Sequence, residues 1–270
     1  MARREAVGLT LAPAVLAAIW WLPAWFFLTV FALVILLAAD EMLRMARTSG
    51  LSCGRAAPLA ATAVTLAGAW LFGAVGLAAA VAATVIVLPT WRLAARRPPA
   101  GALAGAAVGS FTALYLGVTG ACLGWLRILP GDEVGPRLVI LFLVTIWVGD
   151  SGAYDVGRRL GRHRMAPVVS PNKTWEGLAG GTVATAAATF ALVRVLGLEL
   201  TWPHVAALAV ILAVAAPLGD LLESLFKRDT GVKDSSALLP GHGGLLDRTD
   251  SLVFAAPPVL AYAWVAGLLG

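Results

Sequence analysis

The chain has 270 residues, of which 60% are hydrophobic and only 13% are charged, and its mean hydropathy is +0.86. Soluble domains are about 45–50% apolar and about 25% charged, so this chain has too few charges to cover a water-facing surface of its size. The composition excludes an ordinary soluble domain and predicts an all-α, polytopic integral membrane helical bundle. The net charge of +5 does not indicate a nucleic-acid partner, because basic residues of membrane proteins gather in cytoplasmic loops.

Nine apolar segments follow one another along the chain, and a helix needs roughly 20 such residues to cross a bilayer core. The predicted transmembrane helices are 6–21, 24–42, 57–74, 76–94, 103–127, 137–159, 174–196, 204–226 and 250–269. The first segment is short and the break at 74–76 is weak, so eight helices are the alternative. No small-residue cleavage site follows the first segment, and we expect it to be a retained helix rather than a signal peptide.

The positions of Lys and Arg predict the orientation of these helices. With the N-terminus in the cytoplasm, all but three of the 20 basic residues lie nearer the cytoplasmic face, and the exceptions are Arg127, Arg137 and Arg194. This bias is what the positive-inside rule requires. We therefore expect an N-in, C-out, multi-pass protein of the cytoplasmic (inner) membrane, with its functional site facing the cytoplasm.

Charge is distributed unevenly between the two halves of the chain. The helices of residues 1–135 are rich in Ala, Leu and Val and carry almost no charge within the membrane. We expect these helices to serve as scaffold and oligomer contacts. Residues 136–270 contain the costly intramembrane charges and are predicted to carry the site.

Two carboxylates lie deep in predicted membrane helices. Asp150 is about 12–14 Å below the cytoplasmic surface in the sixth helix, and Asp220 lies in the eighth. Asp220, Ser224 and Lys227 are spaced i, i+4 and i+7, so they share one helical face. A deep carboxylate without a partner would be protonated or destabilising, and both carboxylates are therefore candidate functional residues.

The ninth helix begins with "DRTDS", in which Asp247 and Asp250 are three residues apart and share a face. Asp250 has a second interpretation, as a carboxylate that caps the last helix at its N-terminus. Glu223 of the eighth helix also has two interpretations, as a functional group or as a solvated or paired interface residue.

Two loops assigned to the cytoplasmic side supply complementary groups. "SPNKTWEG" at 170–177 and the stretch 227–250 contain polar and basic residues together with the glycine-rich "PGHGG" at 240–244. Glycine amides with nearby cations suit phosphate oxygens, and clustered carboxylates suit Mg²⁺. A lone histidine such as His242 is weak evidence by itself, but its position between glycines in a charged loop makes it a candidate. These features predict a pocket for a metal-bound polyphosphate beside a lipid, and no P-loop pattern is present.

Residues 224–250 resemble, position for position, the signature of the phosphatidate cytidylyltransferases (CDP-diacylglycerol synthases), S-x-[LIVMF]-K-R-x4-K-D-x-[GSA]-x2-[LIF]-[PG]-x-H-G-G-[LIVMF]-x-D-R-[LIVMFT]-D. The matching residues are Ser224-Leu225-Phe226-Lys227-Arg228, Lys233-Asp234, Ser236, Leu239-Pro240, His242-Gly243-Gly244-Leu245 and Asp247-Arg248-Thr249-Asp250. "GDSGAY" at 149–154 and "SPNKTWEG" resemble further motifs of the family. The first half of the chain resembles it only as a helical membrane region.

The resemblance implies a nucleotidyltransferase of phospholipid biosynthesis that joins phosphatidic acid to CTP and gives CDP-diacylglycerol and pyrophosphate. It also implies Mg²⁺ as cofactor, with Asp220 and Asp247 as metal ligands, and a homodimer. A second metal ion or a monovalent cation is left open. We assign to catalysis Asp220, Lys227, Arg228, His242, Asp247 and Asp250. We assign to substrate binding Asp150, Ser170, Asn172, Lys173, Ser224, Lys233, Asp234, Gly243, Gly244 and Arg248.

Two other functions fit part of the pattern. A CTP-dependent lipid-alcohol kinase would use similar cations and carboxylates but transfer only the terminal phosphoryl group. An ion-coupled transporter would use intramembrane carboxylates, but its expected inverted repeat is not visible in the sequence.

Overall fold

The computed structural model describes residues 2–51, 54–94, 99–238 and 243–269, without the side chains of residues 2–11 and 92. This described part contains eight helices and one short antiparallel sheet. The helices are α1 Ala2–Trp21, α2 Ala24–Thr48, α3 Ala56–Ala94, α4 Ala102–Ile128, α5 Gly131–Leu160, α6 Trp175–Val195, α7 Trp202–Asp229 and α8 Leu246–Val265. The sheet pairs β1 Arg164–Ala166 with β2 Ser170–Thr174.

Six helices of the described ranges are long and apolar enough to cross a membrane, namely α2, α3 over Ala56–Trp91, α4, α5, α6 and α7. The predicted class, an all-α polytopic membrane protein, is therefore confirmed. The count of nine membrane spans and the N-in, C-out orientation stay predictions. The β1–β2 hairpin is an addition that the helical pattern of the sequence does not indicate.

Helix α3 folds back on itself at Gly73, which has φ 63° and ψ −148°, a conformation that side-chain-bearing residues rarely adopt. A Cβ placed on Gly68 would lie 2.8 Å from the carbonyl oxygen of Gly76 and 3.5 Å from the Cβ of Ala80. Such close approach across the bend shows that the stretches before and after Gly73 run side by side. The bend lies beside the weak break at 74–76, so the two helices predicted there correspond to the two arms of α3.

The chain forms two compact units. One contains Met1–Phe27, Trp125–Leu225 and Asp250–Gly270, and the other contains Leu28–Gly124 and Phe226–Thr249. The predicted functional division into residues 1–135 and 136–270 stays a prediction.

In the first unit, α5 and α6 pack closely through small residues. A Cβ on Gly152 would lie 2.6 Å from the Cβ of Ala184, and one on Gly181 would lie 2.9 Å from the Cβ of Ala153. Small residues at such spacing let two membrane helices bring their backbones together. The glycines of "GDSGAY" and "EGLAGG" therefore serve helix packing, which fixes the hairpin between α5 and α6.

In the second unit, the core gathers around α2, α3 and α4, with Ile35, Leu66 and Leu116 almost fully buried. The indole N–H of Trp70 donates a hydrogen bond to the carbonyl oxygen of Ala121 at 3.2 Å. The pairing satisfies a polar group that would be costly to leave unbonded inside a membrane protein.

Candidate active site

Three carboxylates of the first unit converge. Asp220 and Glu223 lie on α7 and Asp250 lies on α8, and one oxygen from each lies within 4.8 Å of the others. Glu223 and Asp250 are buried, with 3% and 8% of their surfaces exposed. We call these three residues the acidic cluster.

The acidic cluster depends on a close approach of α7 to α8 at Gly219. A Cβ there would lie 2.7 Å from the carbonyl oxygen of Asp250 and 2.7 Å from the Cβ of Phe254. Any side chain at position 219 would push the helices apart, because real Cβ contacts are longer than this. Glycine beside Asp220 therefore places the carboxylates of two helices together.

Asp220 also contacts two of the predicted substrate-binding residues. The Nζ of Lys173 lies 2.7 Å from Oδ2 of Asp220, and the hydroxyl of Ser224 donates to Oδ1 at 3.4 Å. The predicted shared face of Asp220 and Ser224 is confirmed by this hydrogen bond. Lys173 therefore brings a cation to the acidic cluster from a loop that the sequence singles out separately.

Lys173 is held in place by the β-hairpin and its connection to α6. The carboxylate of Glu176 accepts hydrogen bonds from the backbone N–H groups of Arg162 and His163 at 3.1 and 3.2 Å, and its Oε1 lies 2.5 Å from Nδ1 of His163. Thr174 caps α6, because its Oγ1 accepts from the N–H of Gly177 at 3.1 Å. These bonds fix the end of β2 that carries Lys173 to the start of α6.

Asp247, in the second unit, is enclosed by donors. Lys227 Nζ lies 2.7 Å from its Oδ1, while Oδ2 accepts from the N–H of Gly244 at 2.7 Å and from the N–H and hydroxyl of Ser235 at 2.9 and 2.8 Å. Burial by itself would raise the pKa of Asp247, but Lys227 and the N–H groups of Gly244 and Ser235 outweigh it and hold that pKa at about 2. Asp247 is therefore ionised at neutral pH.

The paired glycines of the signature allow this enclosure. Gly243 has φ +76°, and a Cβ there would lie 2.6 Å from Oδ2 of Asp247. A Cβ on Gly244 would collide with Ser235 Oγ and with a carboxylate oxygen of Glu41. The sequence predicts that these glycines bring backbone amides to a ligand, and in this structure the Gly244 amide is bonded to Asp247.

The turn after α7 explains how Lys227 is presented. The N–H of Gly231 donates to the carbonyl of Arg228 at 3.2 Å, and that of Val232 donates to the carbonyl of Lys227 at 2.9 Å. With Gly231 at φ 72°, this is a Schellman ending of the helix. Phe226 anchors the turn edge-on against the ring of Phe111, with centroids 5.7 Å apart.

The remaining predicted residues are distributed as follows. Asn172, Arg228, Lys233, Asp234 and Arg248 are exposed, and Ser170 is half-buried on β2. Asp150 is exposed on α5, outside the acidic cluster. His242 lies outside the described residues. Asp250 is not the N-cap of its helix, because α8 begins four residues earlier at Leu246.

Two buried carboxylates in α2 are not among the residues predicted from the sequence. Asp40 and Glu41 each have 4% of their surface exposed. Asp40 pairs with Arg44 at 2.6 Å and with Arg55 at 2.5 Å, whereas Glu41 contacts the stretch between α7 and α8. The available signal is the pair of adjacent acids in "LLAADEMLR", at the end of an otherwise apolar segment.

The acidic cluster fits a divalent metal ion. Hard cations such as Mg²⁺ are bound by carboxylate oxygens, and three oxygens within 4.8 Å of one another can face a single ion. Asp247 differs, because its Oδ2 already accepts from three donor groups and its Oδ1 faces the ammonium group of Lys227. As a metal ligand, Asp247 would exchange part of this bonding for the ion.

The fold and the acidic cluster define a multi-pass membrane protein with a candidate metal-binding site. The chain belongs to the cytidylyltransferase family, whose model matches residues 2–266. It is 32% identical to the phosphatidate cytidylyltransferase of Mycobacterium bovis over 271 aligned residues, which cover 96% of this chain and 85% of that protein. The predicted family and the predicted class of enzyme, a nucleotidyltransferase, are confirmed.

Two further relatives match over shorter stretches. The phosphatidate cytidylyltransferase of Haemophilus influenzae is 45% identical over 127 residues, which cover 46% of this chain and 44% of that protein. That of Staphylococcus saprophyticus is 37% identical over 143 residues, which cover 53% of each chain. These two matches span about half of each relative or less, whereas the Mycobacterium match spans most of both chains.

Proposed function

We propose that this protein transfers the CMP group of CTP to phosphatidic acid, with CDP-diacylglycerol and pyrophosphate as products. A phosphate oxygen of phosphatidic acid forms a bond to the α-phosphorus of CTP. The bond from that phosphorus to the oxygen bridging to the β-phosphate breaks, and pyrophosphate leaves. The observation that carries the proposal is the match of the whole chain to a family whose Mycobacterium member is named for this activity.

The reaction needs no nucleophile from the protein, because phosphatidic acid brings an anionic oxygen. What the protein must provide is alignment of two anionic substrates and neutralisation of their charge. Lys173 and Lys227 are cations held by carboxylates in defined positions, and exposed Arg228, Lys233 and Arg248 add positive charge near the same stretches of chain. We assign these five residues to the binding of substrate phosphates.

Mg²⁺ is the proposed cofactor, with Asp220 as a ligand and with Glu223 and Asp250 as neighbours able to share the ion. When bound, the ion would neutralise triphosphate oxygens and stabilise the pyrophosphate leaving group. Asp247 is retained as a second proposed ligand on the strength of the family signature. The acidic cluster supports a metal ion in this position, since one oxygen from each of the three carboxylates lies within 4.8 Å of the others and carboxylate oxygens are ligands that Mg²⁺ takes.

The proposed setting is the cytoplasmic membrane, with nine spans, the N-terminus inside and the active site facing the cytoplasm. CTP is water-soluble and the acyl chains of phosphatidic acid lie in the leaflet, so the phosphates meet near the membrane surface. The distribution of basic residues supports this orientation. A homodimer stays a prediction of the family resemblance.

Labelled CTP tests the function and separates it from its alternatives. Purified protein is incubated with phosphatidic acid, Mg²⁺ and CTP labelled at either the α- or the γ-phosphate, with a reaction lacking phosphatidic acid as control. Label from the α-phosphate in the lipid product is expected. Label from the γ-phosphate would instead indicate a lipid kinase, and no labelled lipid from either substrate would contradict both enzymatic functions.

A further inference from the structure

Glu41 is the buried centre of a hydrogen-bond network that joins distant parts of the chain. Its Oε1 accepts from the N–H of Leu245 at 3.1 Å and from the hydroxyl of Ser236 at 2.6 Å. Its Oε2 accepts from the N–H of Leu246 at 2.8 Å and lies 2.9 Å from the hydroxyl of Ser235. The Ser235 hydroxyl has a single proton, which lies between Oε2 of Glu41 and Oδ2 of Asp247, so Glu41 accepts three full hydrogen bonds and shares a fourth.

Two of these bonds complete the start of α8. The first N–H groups of a helix have no partner within the helix, and the residue before it often caps them with a polar side chain. The residue before α8 is Leu245, which has no polar side-chain atom. Glu41 takes over this role from α2, and its negative charge is favoured at a helix N-terminus.

The other two bonds tie the loop after α7 to the same carboxylate. Ser235 donates its N–H to Oδ2 of Asp247 at 2.9 Å, so Glu41 and Asp247 hold the loop from two sides. No side chain fits at Gly244, where a Cβ would collide with Ser235 Oγ and Glu41 Oε2. The orientation of the Asp247 carboxylate therefore depends on a packing arrangement that has Glu41 at its centre.

We propose that Glu41 is a positioning residue for the active site, a role that rests on the proposed function. Glu41 acts through Ser235, Ser236 and the first turn of α8, which it fixes in one arrangement around Asp247. Loss of its charge leaves the helices in place but frees the start of α8 from the loop. Asp247 and its partner Lys227 then sample several orientations, and CTP binds less well.

Asp40 provides a matched control in the same helix. It is as buried as Glu41, and it pairs with Arg44 and Arg55 rather than with the loop after α7. Asp40→Asn removes the same charge from the adjacent position. It is expected to lower thermal stability without changing the start of α8.

The test compares Glu41→Gln and Asp40→Asn with the wild-type full-length protein in detergent micelles. Hydrogen–deuterium exchange of the peptide covering residues 243–249 reports the Leu245 and Leu246 amides, and the KM for CTP is measured in parallel. Glu41→Gln is expected to speed exchange of these amides and to raise this KM, each about tenfold, because it weakens hydrogen bonds to a charged group. Asp40→Asn is expected to change neither.

A purely structural role for Glu41 would reduce the amount of active enzyme and leave the KM unchanged. Wild-type KM in the folded Glu41→Gln protein therefore overturns the proposal, whether or not exchange is faster. If Glu41→Gln does not fold, Ser236→Ala removes one contact to Oε1 and is expected to raise exchange and KM about threefold. Wild-type values for Ser236→Ala would then overturn the proposed role of Glu41.

If the wild-type protein transfers no CMP, the proposed function fails. Wild-type exchange rates in Glu41→Gln would separately refute the role of Glu41.

Discussion

The Nζ of Lys173 lies 2.7 Å from Oδ2 of Asp220, so the β-hairpin before α6 and the buried part of α7 meet in a salt bridge. The side chain of Lys173 is 23% exposed and that of Asp220 is 40% exposed, but the Nζ atom of Lys173 is itself buried, so Asp220 is the more accessible member of the pair. A cation beside a carboxylate cluster can bind substrate phosphate while the carboxylates bind metal. The pair is therefore the most direct structural support for a site that handles a metal-bound nucleotide.

Lys173→Gln is expected to raise the KM for CTP about tenfold, because a charge-assisted contact to phosphate is lost. The Mg²⁺ concentration for half-maximal activity should not rise, since the variant removes a positive charge from beside the acidic cluster. Steady-state kinetics at varied CTP and varied Mg²⁺ measure both quantities. Arg159→Gln, at an exposed position on α5, is the control. An unchanged KM for CTP in Lys173→Gln would remove Lys173 from the substrate site.

Gly219→Ala is expected to destabilise the protein by about 1–3 kcal/mol and to reduce turnover at least tenfold. The added methyl group must displace α8 at Asp250 and Phe254, which spreads the acidic cluster. Thermal unfolding in detergent and CMP transfer measure the two effects. Gly54→Ala is the matched control, because a Cβ at Gly54 meets nothing within 4 Å. Full activity in Gly219→Ala would show that the close helix approach is not needed.

Glu176→Gln is expected to loosen the hairpin that carries Lys173. Glutamine keeps the size of the side chain and one acceptor oxygen for the N–H groups of Arg162 and His163, but it lacks the negative charge that strengthens these bonds and the contact with Nδ1 of His163. We expect faster tryptic cleavage at Arg162 and Arg164 and a fall in activity of about three- to tenfold. Glu133→Gln changes an exposed carboxylate at the start of α5 and serves as control. Wild-type cleavage rates in Glu176→Gln would show that Glu176 does not stabilise the hairpin.

Lys227→Met is expected to lower the free energy of unfolding by about 3–5 kcal/mol, because it leaves the Asp247 charge buried without its ion-pair partner. The double variant Lys227→Met/Asp247→Asn should recover part of this loss. Thermal unfolding of the two variants and the wild-type protein measures the difference. Equal stability of the single and double variants would show that the ion pair is unimportant for folding.

The same ion pair has a defined pH dependence. The pKa of Asp247 is about 2, below the usual value of about 4 for an aspartate. A lowered carboxyl pKa contributes stability that is complete above the usual pKa and is lost as pH falls towards 2. The destabilisation by Asp247→Asn, which removes the titrating carboxyl group, should therefore be equal at pH 6 and pH 8. A marked decrease between these values would contradict the assigned charge state of Asp247.

Hydrophobic patterning was enough to predict the helices of this protein, and the break at 74–76 locates the bend at Gly73 within two residues. Asp220 was predictable as a candidate residue because charges are rare and costly in membrane helices, and Lys173 because it lies in a polar loop assigned to the cytoplasmic side. Glu41 could not be predicted as a candidate residue, because its contacts are with residues about 200 positions later in the chain. The hydrogen bond from the Gly244 amide to Asp247 could not be predicted from the sequence either, because a glycine pattern does not show which acceptor an amide faces.

The most direct test of the account follows α-labelled CTP into lipid with wild-type protein and Asp220→Asn side by side, over a range of Mg²⁺ concentrations. The wild-type protein should label the lipid only when Mg²⁺ and phosphatidic acid are present, and EDTA should abolish the product. Asp220→Asn should fold and insert normally but lose at least about 100-fold in turnover, as expected for removal of a metal ligand. Wild-type turnover in Asp220→Asn, or labelling that persists in EDTA, would contradict a metal-dependent cytidylyl transfer at the acidic cluster.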